Sequence, residues 1–293
     1  MQKCLFVITA ILLLCITCKS PAPPPAPEES PVAALQFERI QADSINHIEL
    51  HYRFKAENPR SRPINIEIKN WQGLLNGIGF DKSSAALHLD GANVEGTYIS
   101  AAPGTSVEKS LVLYLDMRNM PSNYGLMSED EYLAQLNISL DYRYANDTPL
   151  QGAVSVSAAF PRIREPQFTI TSIAIMQAEL INTRFKVSLR IDNPNIFPVA
   201  LSSFGYELYG EGRFWADGEE REVLYIPAQS SSETNLFLMM NFINMKRQLL
   251  DDVLAMRLVR YRFTGEVEVG TGVSWLPSFH MGFDRNGNSV VLK

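Results

Sequence analysis

Residues able to do chemistry are few in this chain and poorly grouped. The three cysteines, Cys4, Cys15 and Cys18, all lie within the first eighteen positions. The body therefore has no thiolate nucleophile, no cysteine metal site and no disulfide. The four histidines, His47, His51, His88 and His280, lack the HExxH spacing of a zinc hydrolase. His47, Glu49 and His51 share the outward face of a strand and would hold a metal only weakly, since no cysteine or further carboxylate completes the set. A solvated strand face is the better reading. Ser106-Val107-Glu108-Lys109 spells SxxK, but that motif needs a helical turn to bring Ser and Lys together, and here it opens a strand. Asp284, Asn286 and Asn288 alternate as calcium-loop ligands do, yet Gly287 is misplaced and the closing Glu would fall beyond Lys293. Gly73, Gly77 and Gly79, like Gly205, Gly210 and Gly212, have neither phosphate-loop form. In strands such glycines mark bulges or tight bends. No nucleophile–base pair emerges, so the chain reads as a non-enzyme with no cofactor.

The whole-chain numbers agree with that reading. A net charge of -6 argues against nucleic acid, whose binders carry a basic stripe. The 293 residues suffice for two domains, and 46% hydrophobic with 20% charged residues is ordinary globular composition. MQKCLFVITAILLLCITCKS opens with one lysine and an apolar run from Leu5 to Ile16. The run falls short of the roughly 20 residues a bilayer needs and fits a signal-peptide core. Leu14-Cys15-Ile16-Thr17-Cys18 resembles a relaxed bacterial lipobox, which makes Cys18 the lipidation candidate; an ordinary secretory signal or an N-terminal membrane anchor is the alternative. KSPAPPPAPEESP, residues 19–31, is Pro-rich and reads as an extended tether. The expected address is export across the inner membrane and lipid anchoring to the envelope. Membrane lipid is the expected partner.

The body reads as strands, and it reads so twice. Ile48, Leu50, Tyr52, Phe54 and Ala56 alternate with polar residues up to Asn58-Pro59. Phe185, Val187, Leu189 and Ile191 alternate in the same way up to Asn193-Pro194-Asn195. Segment 64–80 aligns with 199–214, 101–117 with 226–242, and 140–156 with 259–275, placing Trp71 on Tyr206, Gly77 on Gly212 and Glu108 on Glu233. The last pair sets Tyr142-Arg143-Tyr144 on Tyr261-Arg262-Phe263. Segments in one order imply a tandem duplication joined at PRIREP, residues 161–166. Each half also carries a helix signal: a capping box at Ser128–Glu131 ahead of Tyr132 and Leu133, and helical spacing over 245–256 after Asn244. Asn286-Gly287 signals a hairpin turn, and Asp217-Gly218-Glu219-Glu220 an acidic hairpin tip.

The fold class is therefore all-β: two tandem immunoglobulin- or fibronectin-III-like β-sandwiches, each of about seven strands with one short helix. The expected layout is a signal peptide over 1–18, a linker over 19–34, and sandwiches over 35–162 and 163–293. At the break, proline ends the ladder and asparagine bonds to nearby backbone, so Asn58, Pro59, Asn193, Pro194 and Asn195 are expected to be structural.

The stretch RIDNPNIFPVALSSFGYELYG, the later IPAQSSSE and the closing strands resemble the late-embryogenesis-abundant type 2 domain, also called the water-stress and hypersensitive-response (WHy) domain. The second half, from residue 166, carries the better match, and the first half has Asn58-Pro59-Arg60 in place of the full signature. The resemblance implies an immunoglobulin- or fibronectin-like sandwich, an association with desiccation tolerance and protection of other proteins, and no catalytic residues. The expected role is binding or shielding at the membrane surface. Carriage of lipid or another hydrophobic ligand, and service as an adaptor for other envelope proteins, are the alternatives.

Overall fold

The structure, a computed structural model, describes residues 29–80, 83–119, 130–178, 182–241 and 258–292. Cys18 and most of the Pro-rich tether lie outside these residues, as does the helix expected over 245–256. The fold is all-β, in sheets that are antiparallel apart from one short parallel pairing.

In the first half, β1 (Val32–Ser44) and β2 (His47–Glu57) form a hairpin, and β8 (Ser106–Asp116) pairs on the other side of β2. β5 (Ala85–Leu89) and β6 (Ala92–Asn93) extend that sheet. A second sheet has the order β10 (Leu150–Pro161), β9 (Glu131–Tyr144), β3 (Ile64–Leu75) and β4 (Ile78–Gly79), with β7 (Tyr98–Ala101) also on β3. Period-two patterning decides which face goes inward: Ile48, Leu50, Tyr52, Phe54 and Ala56 are buried against Ala134, Leu136, Ile138 and Leu140 in one core.

The second half repeats this pairing. β11 (Gln167–Ala178) pairs with β12 (Asn182–Asn193), which pairs with β16 (Ser230–Asn241). β13 (Val199–Gly210) lies between β14 (Arg213–Glu220) and β17 (Leu258–Val273), with short β15 (Leu224–Ile226) at its start. β18 (Leu276–Leu292) pairs along β17, and its end meets β11 in parallel, so one continuous path of strands wraps this half. Its core is aromatic: Phe168, Phe204, Phe263 and Phe283 contact one another with ring centres 4.7–6.3 Å apart.

Three of the four aligned segment pairs occupy equivalent places. Glu108 lies opposite Lys55, and Glu233 lies opposite Arg190. Asn76-Gly77 and Glu211-Gly212 both turn with φ positive at both residues, the tight hairpin form that suits twisted strands. The fourth pair is out of register. Tyr144 ends β9 opposite Ile64, near the start of β3, whereas Phe263 lies within β17 opposite Leu208, near the end of β13.

Three local expectations are corrected. The capping-box helix gives way to strand from Glu131, because Tyr132 and Ala134 alternate inward against the core. No helix other than a 3-10 turn at Met117–Asn119 occurs among the described residues. Asn286-Gly287 makes no hairpin, since both residues pair with β17 inside one strand. A Cβ on Gly287 would stand 2.4 Å from the Tyr261 hydroxyl, so the glycine makes room for a ring rather than a turn. Asp217–Glu220 is likewise ladder, paired with Phe204–Glu207, and the tip falls at Glu211-Gly212. Gly218 clears the Tyr206 ring as Gly287 clears Tyr261.

Candidate functional site at the joint between the sandwiches

The two Asn-Pro breaks build the same buried knot. Asn193 is 2% exposed, and its Nδ2 donates to the carbonyls of Phe197, Ile226 and Pro227 at 2.9, 3.3 and 2.9 Å. Its Oδ1 accepts from the Asn195 backbone N–H at 3.0 Å. Asn58, 1% exposed, repeats the pattern on Arg62, Ala101 and Ala102 at 2.9, 3.2 and 3.1 Å, and accepts from the Arg60 N–H at 3.2 Å. The amide stands in for ladder partners that the proline removes, joining one strand end to the loop that opens β8 or β16. Pro59 and Pro194 sit within these turns.

The third residue of each break reaches the chain that enters its sandwich. Asn195 Nδ2 donates to the Arg164 carbonyl at 2.9 Å, and Asn195 Oδ1 accepts from the Arg164 N–H at 2.7 Å. That reciprocal pair treats the linker as a neighbouring strand would. In the first half Arg60 Nε donates to the Glu29 carbonyl at 3.0 Å, so an arginine does there what asparagine does in the second.

Arg164 then ties the halves together. Its Nη1 lies 2.8 Å from Asp130 Oδ1 and donates to the Pro194 carbonyl at 3.1 Å. Gln229 Nε2 donates to Asp130 Oδ2 at 3.1 Å, bringing the β15–β16 loop to the same carboxylate. Nearby, the half-buried Trp275 ring packs against both cores and meets Phe160 edge-on at 5.9 Å. An open groove of about 540 Å³ runs along the joint past Asp130, Arg164, Asn193 and Gln229. Asp130, Gln229 and Trp275 carried no sequence signal, because their partners are remote in the chain.

The remaining candidates do not converge. His51 Nε2 lies 3.2 Å from Glu49, while His47 faces Asp43 at 3.5 Å and Asp116 at 3.9 Å on the wall of a second groove of about 530 Å³. Among the described residues no group of three or more His, Cys, Asp or Glu side chains is placed to hold a metal. Ser106 and Lys109 stand on opposite faces of β8, where Lys109 pairs with Asp90 at 2.7 Å. Asp284 pairs with Arg262, whose hydrogen bond holds the carboxyl below the usual carboxylate range. Burial pushes the Tyr52 phenol up, and its hydroxyl has no partner among the described residues.

A family model described as "Late embryogenesis abundant protein" (LEA_2) matches residues 188–283, from β12 into β18. The match lies wholly within the second half of the chain. No curated protein matches the chain. Among solved structures, a protein from Archaeoglobus fulgidus is 12% identical with a TM-score of 0.27, over 43% of this chain and 95% of that one. A Bacteroides uniformis beta-glucuronidase is 11% identical with a TM-score of 0.26, over 80% of this chain and 26% of that one. A glycosyl hydrolase family 2 member from Bacteroides cellulosilyticus DSM 14838 is 9% identical with a TM-score of 0.25, over 80% and 28%. The chain thus spans about a quarter of the length of these two glycosidases, and likeness of this degree says nothing about activity.

Proposed function

We propose that the chain is a non-enzymatic lipoprotein of the cell envelope, carrying two tandem LEA type 2 sandwiches that bind or shield at a membrane surface under water or envelope stress. The observation that carries this reading is the joint. Asn195 clamps the linker at Arg164, Arg164 is held by Asp130 of the first half, and Trp275 packs on both cores. A joint tied in this way sets sheet faces beside one another for a partner to meet, which suits an adaptor or shield. The shared Asn-Pro knots and the common register of Glu108 and Glu233 support a duplicated domain. The aromatic filling of the second core favours surface binding over cargo carried inside it.

Cys18 would carry the lipid, with the Pro-rich segment as spacer. Acyl chains gain about 0.8 kcal/mol per buried CH₂, so more than one chain gives durable anchoring. Membrane fractionation with labelled palmitate tests the address. The wild type is expected in the membrane fraction with label, and Cys18→Ala in the soluble fraction without it. A freely soluble, unlabelled wild type overturns the lipoprotein reading. Crosslinking in native membranes tests the adaptor role, which predicts one dominant protein partner.

A further inference from the structure

We infer that the end of the second sandwich remote from the joint docks on a bilayer surface rich in anionic phospholipid. Strand direction assembles this pole. β11 leaves the joint at Gln167 and ends at Ala178, β12 starts beside it at Asn182, β16 arrives at Asn241, and β17 starts at Leu258. β13 also ends there, so the Glu211-Gly212 turn and the first residues of β14 belong to the same pole. Inside the core Phe185 stacks on Trp215 at 6.1 Å, which brings their chain neighbours Arg184 and Phe214 to one place.

Two kinds of side chain gather here. Met176, Phe214, Phe237, Met239 and Leu258 are 52–64% exposed, whereas inward residues of the same strands, such as Phe185, Leu236 and Leu238, fill the core. A single exposed apolar residue means little, but five at one end make a patch. Arg184, Lys186 and Arg213 stand among them, and none has a carboxylate partner among the described residues. Lys186 lies opposite Phe237 and Arg184 opposite Met239, and the Arg184 guanidinium covers the Phe237 ring at 4.9 Å. Neighbouring cations are neutralised: Arg260 pairs with Glu211 at 2.8 Å and Arg262 with Asp284 at 2.6 Å. Along β16 the nearest described carboxylate is Glu233, two rows from Phe237 and opposite Arg190. A chain of net charge -6 thus presents three unmatched cations at an apolar end.

The chemistry selects the occupant. Unmatched Arg and Lys call for anionic groups, and nucleic acid would satisfy them while leaving the apolar side chains in water. A protein partner is held by anchors that fill pockets, and the two grooves described above lie at the joint and beside His47, away from this pole. A lipid surface needs no matching shape. Phe, Met and Leu side chains enter the acyl boundary while guanidinium and ammonium groups stay among the phosphates. Arg184 stacked on Phe237 sets charge and ring side by side in that way. The inference rests on the membrane-surface reading above and names the face that makes the contact. The tether enters the first half, where Arg60 holds the Glu29 carbonyl, so this contact is separate from an anchor at Cys18.

The test uses the full-length chain carrying Phe237→Trp, reconstituted with vesicles of brominated phosphatidylcholine, with or without about 30% phosphatidylglycerol. The unsubstituted chain supplies the background of Trp71, Trp215 and Trp275. Added quenching is expected only on the anionic vesicles, and it should fall in about 1 M salt. Arg184→Ala with Lys186→Ala and Arg213→Ala should lower the ratio of docked to free pole about a hundredfold, which abolishes the added quenching. The melting temperature should stay within a few degrees, since all three side chains are at the surface. Absence of added quenching, equal quenching on neutral vesicles, or quenching that survives the triple variant overturns the inference. So does a blue shift without lipid that grows with protein concentration, the mark of a second copy on this face. A chain that fractionates with membranes yet gives no added quenching refutes the pole alone and leaves the membrane address standing.

Discussion

Asn193→Ala should be the most damaging single change at a position with no apolar burial to lose. The side chain makes three donor contacts to Phe197, Ile226 and Pro227 and two acceptor contacts to Asn195, the latter at 3.0 and 2.9 Å. One amide NH₂ has only two hydrogens, so the three carbonyls share about two full bonds, and the acceptor side adds about two more. At about 1 kcal/mol net per bond, the loss is about 4 kcal/mol, and stranded carbonyls in a buried site push it higher. Asn193→Asp sharpens the test. It keeps the shape and the acceptor but turns a carboxylate toward three carbonyl oxygens, so it should cost at least as much as Ala. The assay is denaturant unfolding followed by tryptophan fluorescence and by proteolysis of each half. Trp215, 4% exposed in the second core, reports the affected sandwich, and Trp71 reports the first. A loss under about 1 kcal/mol for Ala, or a near-native Asp variant, would refute the view that the amide substitutes for ladder hydrogen bonds.

Gly265→Ala should destabilise by about 2–3 kcal/mol in thermal unfolding, since its Cβ would stand 2.1 Å from the Gly205 carbonyl oxygen and 2.5 Å from the Phe283 ring. Gly282→Ala, whose nearest neighbour is at 3.8 Å, should stay within about 0.5 kcal/mol, and equal effects would sink the argument. Trp275→Ala should cost about 2–3 kcal/mol and uncouple the unfolding of the two halves; a single unchanged transition by calorimetry counts against the joint. Hydrogen bonds from Arg260, Lys109 and Arg118 lower the pKa values of Glu211, Asp90 and Asp116, so their contribution is full above the ordinary carboxylate range and is lost as pH falls through the lowered values. Glu211→Gln should therefore flatten the acid limb of the melting-temperature profile, and a steeper limb would contradict the pairing. Added salt should shrink the same effect, because these pairs are at the surface.

The strands were legible because alternation is a local property. Ile48 to Ala56 and Phe185 to Ile191 could bury one face only as half-buried strands, and they do. The Asn-Pro breaks set a residue without an N–H after one whose side chain bonds to backbone. The helix expected to run from the capping box into Tyr132 and Leu133 gave way where that signal competed with core alternation, and burial of Tyr132, Ala134 and Leu136 won. The rows of Ser, Asn and Gln across the β10-β9-β3 sheet escaped notice because they exist only across strands. Ser155 and Gln72 are far apart in sequence and become neighbours through Asn137.

By itself, then, the sequence determined the all-β class and which face of each patterned strand turns inward. Tertiary structure alone decided that Asn286-Gly287 runs straight through a strand, since the turn preference is local while the Tyr261 ring that needs the space arrives from β17. It also decided that Asn195 reaches past its own turn to hold Arg164, which Asp130 grips from the other half. A hydrogen bond needs a partner within about 3 Å, and only the folded chain says which remote residue that partner is.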